Sequence, residues 1–177
     1  MKFIFSVTML LSLSVFAQEA KEYKYEPEMN QAEYYIGHYN EGKDLEDLQK
    51  WYGKFAQWAD KQGSTYDNMT VALLTPYFHS DLTSLDVVWA NNWPDQVEQY
   101  AGLEAWMSGG QKLLESLPVT NHTVTSTTQM VVSTPDSTEP GAVMMAVYSD
   151  CSLDEGVTLR DASVSYTHLR AHETSID

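Results

Sequence analysis

The feature that most constrains this chain is a local change of hydrophobic period. Between Asp44 and Gln62 the apolar side chains fall at Leu45, Leu48, Trp51, Tyr52, Phe55, Trp58 and Ala59. Steps of three and four lay one broad stripe along a helix. Asp44 stands where an N-cap belongs, with Asp47 in the first turn, and Gly63 stands where such a helix ends. Just before it, Glu33–Tyr39 (EYYIGHY) is aromatic and β-branched, which predicts a strand with Gly37 at a bulge or close contact. The segment Asn40-Glu41-Gly42-Lys43 predicts the turn between them.

The same alternation of periods continues downstream. Met69–Tyr77 (MTVALLTPY) and Leu85–Trp93 (LDVVWANNW) predict two strands joined by a polar link over 78–84, and Pro76 places the first of them at a sheet edge. Pro94 and Asp95 open a second helix. Its candidate buried positions are Val97, Tyr100, Ala101, Leu103, Ala105 and Trp106, then Leu113, Leu114 and Leu117 beyond an interruption at Gly109-Gly110, and Pro118 ends it. Asn121–Val132 predicts a fourth strand, 133–141 a loop, and Ala142–Tyr148 the start of a fifth strand. The order β-α-β-β-α-β is the split βαβ, or ferredoxin-like, pattern. It predicts an α+β unit over 32–132: an antiparallel sheet with the first strand between the third and fourth, and two helices on one face. The other face is left needing cover.

Both ends read differently from this unit. Residues 1–17 combine Lys2, an apolar run from Phe3 to Phe16 and Ala17 before Gln18, the pattern of a secretory signal. The run is shorter than the roughly 20 residues that span a bilayer. The mature chain is thus expected to be exported, periplasmic or extracellular, with no membrane partner after cleavage. Residues 18–31 read as a flexible polar leader. At the other end, residues 164–174 (VSYTHLRAHET) resemble one translated frame of a transposase sequencing adapter. Residues 163–177 are accordingly read as an artefact tail, so His168, His172 and Glu173 are set aside as metal ligands, and the natural product is expected to continue past Ala162. Cys151, an unpaired sulfur in an exported chain, suggests either a missing partner or a buried reduced thiol.

A shift of 114 positions superposes Asn40–Leu48 on Asp154–Ala162, with Glu, Gly, Leu and Asp matching, and brings Ala32 and Tyr34 onto Ala146 and Tyr148. These six identities predict that 142–162 begins a second βαββαβ repeat. With that repeat, the strand, aromatic helix, hairpin, helix and strand over 32–132 resemble the dimeric α+β barrel superfamily. That resemblance implies two ferredoxin-like units paired sheet to sheet, either as two chains or as two halves of one chain. It also implies a range of activities, from cofactor-free monooxygenases to haem-binding proteins, isomerases and dehydratases, among which fold alone does not choose.

Composition narrows the partners. With 10 Lys+Arg against 25 Asp+Glu, the chain cannot neutralise a row of phosphates, so no nucleic-acid partner is expected. No Gly-rich phosphate loop, G-x-S-x-G elbow or HExxH run is present, and neither a cofactor nor a metal is expected. Within Thr75–Asp81, His79 is the candidate general base, Asp81 its orienting partner and Tyr77 a donor to an oxyanion. An aromatic turn at a strand end is equally a packing feature. Trp89, Asn91 and Trp93 share one strand face and are the candidate ligand-binding residues, with His38 at a strand end as a fourth. Asn91 and Asn92 also qualify as caps for the following helix. The expected function is an exported protein binding a small, partly apolar molecule, with self-association or a second half covering the sheet. The alternatives are a cofactor-independent enzyme centred on His79, or a partner-binding module.

Overall fold

The computed structural model describes residues 28–77, 81–131, 139 and 141–162. The expected signal, the leader up to residue 27 and the adapter-like tail lie outside the described residues. In chain order the elements are β1 (Glu28–Tyr39), α1 (Leu45–Ala59), a 3-10 segment (Asp60–Tyr66), β2 (Thr70–Leu74), β3 (Val87–Trp93), α2 (Gln96–Gly109), α3 (Gln111–Leu114) and β4 (Val119–Val131). The strands form one sheet in the order β2-β3-β1-β4, and every pairing is antiparallel. This is the ferredoxin-like α+β sheet, with β1 between β3 and β4 and β2 at the edge.

Local chemistry sets the helix starts. The Asp44 carboxylate accepts from the Asp47 amide at 3.1 Å, and Asp95 accepts from Val97 and Glu98 at 2.8 and 2.9 Å. Such caps each stabilise a helix by about 1 kcal/mol. Asp95 is thus the cap of α2, and Asn91 is released for another role. Both helices pack on the face carrying the odd-numbered residues of β1 and β3. Trp51 of α1 meets Trp89 of β3 at 5.4 Å between ring centroids, and Gly102 of α2 lies directly over Trp93, where a Cβ would stand 2.1 Å from the indole. The core beneath comprises Leu48, Trp51, Phe55, Ala59, Val87 and Val119, with Trp58, Trp89 and Trp106 packed against it.

Four expectations need correction. β1 starts at Glu28, inside the expected leader, because β4 is long enough to pair with it as far as Glu28↔Val131; a partner strand supplies what the polar sequence lacks. Residues 142–148 form no strand, and Val143 is 99% exposed. The buried side of α2 is Gln99 and Gly102, whereas Val97, Tyr100, Leu103 and Met107 are exposed, because the helix lies close over Trp93 through its glycine. The β2–β3 connection is longer than a seven-residue link, spanning 75–86. Gly37, expected at a bulge, does sit at a register shift between β1 and β4, where a Cβ would stand 2.4 Å from the Thr120 carbonyl oxygen.

Candidate functional site

Between the sheet and the helices lies a cavity of about 120 Å³, partly open to solvent. Its walls are mostly apolar, with Trp51 and Phe55 from α1, Trp89 and Trp93 from β3, Tyr66 from the 3-10 segment and Trp106 from α2 among them. The rings meet one another at 5.4 to 6.0 Å, Trp51–Trp89 edge to face and Phe55–Trp106 and Tyr66–Trp93 tilted, within the centroid distances at which ring pairs attract.

One carboxylate stands in this aromatic lining. Glu33, on the helix face of β1, is paired across the ladder with Asn91. Its Oε2 accepts from Asn91 Nδ2 at 3.1 Å and from Trp93 Nε1 at 3.3 Å, and its Oε1 accepts from Gln99 Nε2 at 3.0 Å. Gln99, only 5% exposed, also donates to Ser126 Oγ at 3.0 Å. Trp89 Nε1 donates to Asn91 Oδ1 at 2.5 Å, which turns the amide so that its NH₂ faces the acid. A half-buried carboxylate is tolerable only with partners of this kind. Because the network carries a negative charge, it also perturbs its neighbours. Burial first, then the charge and hydrogen bond of Glu33, raise the Tyr35 phenol well above its ordinary range. Burial and then Glu33 push Tyr66 up to about 12, and its hydroxyl donates to the Gly102 carbonyl at 2.6 Å.

The structure therefore brings Trp89, Asn91 and Trp93 into one wall. It places His38 elsewhere. His38 occupies the opposite sheet face, with Nδ1 3.3 Å from Asp86 Oδ2 and its ring 5.3 Å from that of His122. Tyr77 is 72% exposed, and Asp81 accepts from the Thr83 amide in a surface turn; neither lines the cavity. His79 lies outside the described residues. Glu33 and Gln99 escaped the sequence reading. The available signal for Glu33 was a charged residue inside an aromatic strand, on the same alternation as Tyr35. Gln99 had no comparable signal. Among the described residues, no group of three or more His, Cys, Asp or Glu side chains is gathered for a metal ion, and no helix is long and apolar enough to cross a membrane.

No protein-family model matches the chain, and no curated protein matches it. Solved structures with similar folds include SnoaB, a cofactor-independent oxygenase from Streptomyces nogalater, in a mutant form (12% identity, 62% of this chain and 97% of that one, TM-score 0.36). A dimeric ferredoxin-like protein from an uncultured marine organism is similar at 12% identity, over 62% of this chain and all of that one, with TM-score 0.38. A hydroxynitrile lyase from Passiflora edulis is similar at 7% identity, over 64% of this chain and all of that one, with TM-score 0.39. The fold class rests on the strand order and pairing seen in the chain itself.

Proposed function

We propose that this chain is an exported binding protein for a small, single-ring molecule carrying a hydrogen-bond donor, held between the sheet and the helices. The observation that carries the proposal is the lone carboxylate of Glu33 set among Trp51, Phe55, Trp89, Trp93 and Trp106. Size supports one ring: the cavity is about 120 Å³, close to the roughly 150 Å³ apolar cavity that takes up benzene. Chemistry supports a donor. Glu33 accepts from Asn91, Trp93 and Gln99 and is hydrogen-bonded to Tyr35, and an ionised carboxylate is an acceptor only. A ligand hydroxyl or N–H would take the place of one of these donors, while a bare hydrocarbon would gain only the ring contacts.

Phenol and toluene, matched in size, test this by tryptophan fluorescence titration. Phenol should bind at least tenfold more tightly than toluene, a difference of about 1.4 kcal/mol, and Glu33→Gln should remove most of that preference. Equal affinity for the two probes, or a preference unchanged in Glu33→Gln, would refute the reading. Export belongs to the same proposal, and it predicts a secreted product whose N-terminal sequence begins at Gln18.

A further inference from the structure

A second cavity, of about 270 Å³ and partly open to solvent, lies where α1 ends beside the edge strand β2. It backs onto the aromatic cavity, since Phe55 and Tyr66 line both. Its chemistry is different. Tyr52, Phe55 and Asp60 reach it from α1 and its C-cap, Tyr66 and Asp67 from the end of the 3-10 segment, and Met69 from the residue before β2. Phe55 meets Tyr66 edge to face at 5.8 Å between ring centroids, and Tyr52 tilted at 6.5 Å. The Tyr66 hydroxyl is engaged with the Gly102 carbonyl, and both acids are exposed. What a guest meets is aromatic and thioether surface with two carboxylates at its rim.

The chain's own electrostatics oppose those acids. Asp60 is the C-cap of α1, its backbone N–H bonded to the Ala56 and Trp58 carbonyls. A helix carries a partial negative charge at that end, which favours cations and disfavours carboxylates, and the last turn of α1 holds no basic residue. Asp67 adds a second negative charge to the same cavity. Among the described residues, the ion pairs join Lys43 to Asp47, Lys50 to Glu46 and His38 to Asp86, and neither acid of the cavity takes part in one. Lys61 follows Asp60 in the chain and does not line the cavity. The net charge of −15 deepens the negative potential around them. Where a local rule is broken without compensation inside the chain, the compensating group is expected from outside.

The lining also selects the kind of cation. A hard divalent ion such as calcium requires roughly six to eight oxygen ligands, and rings and a thioether cannot supply them. Aromatic rings instead attract cations through their quadrupoles, and quaternary ammonium groups are the cations that aromatic cages recognise. Carboxylates at the rim then balance the charge without having to donate or accept a hydrogen bond.

We propose that this second cavity binds a small quaternary ammonium ion, its methyl groups against Tyr52, Phe55, Tyr66 and Met69 and its charge balanced by Asp60 and Asp67. The site is independent of whatever the aromatic cavity holds.

Choline and neohexyl alcohol test this, because they share one shape and differ in that carbon replaces the charged nitrogen in the alcohol. The full chain is titrated with each at fixed ionic strength, following Tyr52 ring and Met69 methyl resonances by NMR. Choline should shift both sets of signals and bind at least tenfold more tightly than the alcohol. The double substitution Asp60→Asn with Asp67→Asn should bring choline down to the level of the alcohol. An equal removal of charge elsewhere on the surface, Glu104→Gln with Glu115→Gln, should change choline affinity less than twofold. Tyr52→Leu, at a position 40% exposed, should weaken choline at least threefold. Equal affinity for the two probes would overturn the proposal, as would a loss in the Glu104 and Glu115 variant matching that in the aspartate variant. Movement of the Trp89 and Trp93 indole N–H signals with Tyr52 and Met69 still would place the cation in the aromatic cavity and overturn it as well.

Discussion

The two faces of the sheet are built from adjacent residues of the same strands and have opposite character. Glu33, Tyr35, Trp89 and Trp93 turn toward the helices and shape an aromatic cavity around one acid. Ala32, Tyr34, Ile36, Val88 and Ala90, their immediate neighbours, turn away and form a low surface of small and aliphatic side chains with threonines beyond. A period of two makes this separation automatic: one residue decides between cavity and packing face. Polar groups are handled differently as well. On the helix side Glu33 is held by the side chains of Asn91, Trp93, Gln99 and Tyr35. On the other side His38 pairs with Asp86 where both side chains are nearly half-exposed.

The sharpest way to break the comparison is to remove the wall on the helix side. Trp51, 6% exposed, joins the core and donates to the Leu113 carbonyl at 2.9 Å, so Trp51→Ala should cost about 3–5 kcal/mol in denaturant unfolding. Gly102→Ala tests the close approach of α2. Its Cβ would collide with Trp93, and the expected loss is about 1–3 kcal/mol, with weaker phenol binding. A smaller effect concerns pH. Tyr66 is raised to about 12 by burial and Glu33, so the unfolded chain loses that proton first, near its ordinary value of about 10. The neutral phenol's contribution is fully present below about 10 and declines as pH rises toward 12. Tyr66→Phe should flatten that part of the stability profile. The smallest effect is expected on the far face. His38→Ala should change stability by less than about 1 kcal/mol, the ceiling for exposed pairs, and leave phenol affinity unaltered.

Much of the fold was legible in the sequence because it is written as period. The α1 stripe, the Asp44 cap, the Gly109-Gly110 break and the edge position of β2 all follow from local rules. The alternation of Trp89, Asn91 and Trp93 also pointed to a shared wall. Long-range pairing was less legible. The extension of β1 to Glu28 depends on β4, about a hundred residues away, and the buried side of α2 depends on a glycine meeting an indole. Glu33 was hidden for the same reason. Its role is defined by donors from β3 and α2 rather than by its neighbours in the chain. His38, by contrast, drew attention through residue type alone, and the register of β1 against β3 puts it on the face opposite Trp89.

The most direct test of the two-faced sheet is an NMR titration of the isotope-labelled chain with phenol, following indole N–H and imidazole resonances together. The account predicts that the indole signals of Trp89 and Trp93, whose N–H groups donate into the Asn91–Glu33 network, shift with ligand while those of His38 and His122 stay still. Shifts of the two imidazoles with the indoles unmoved would contradict it.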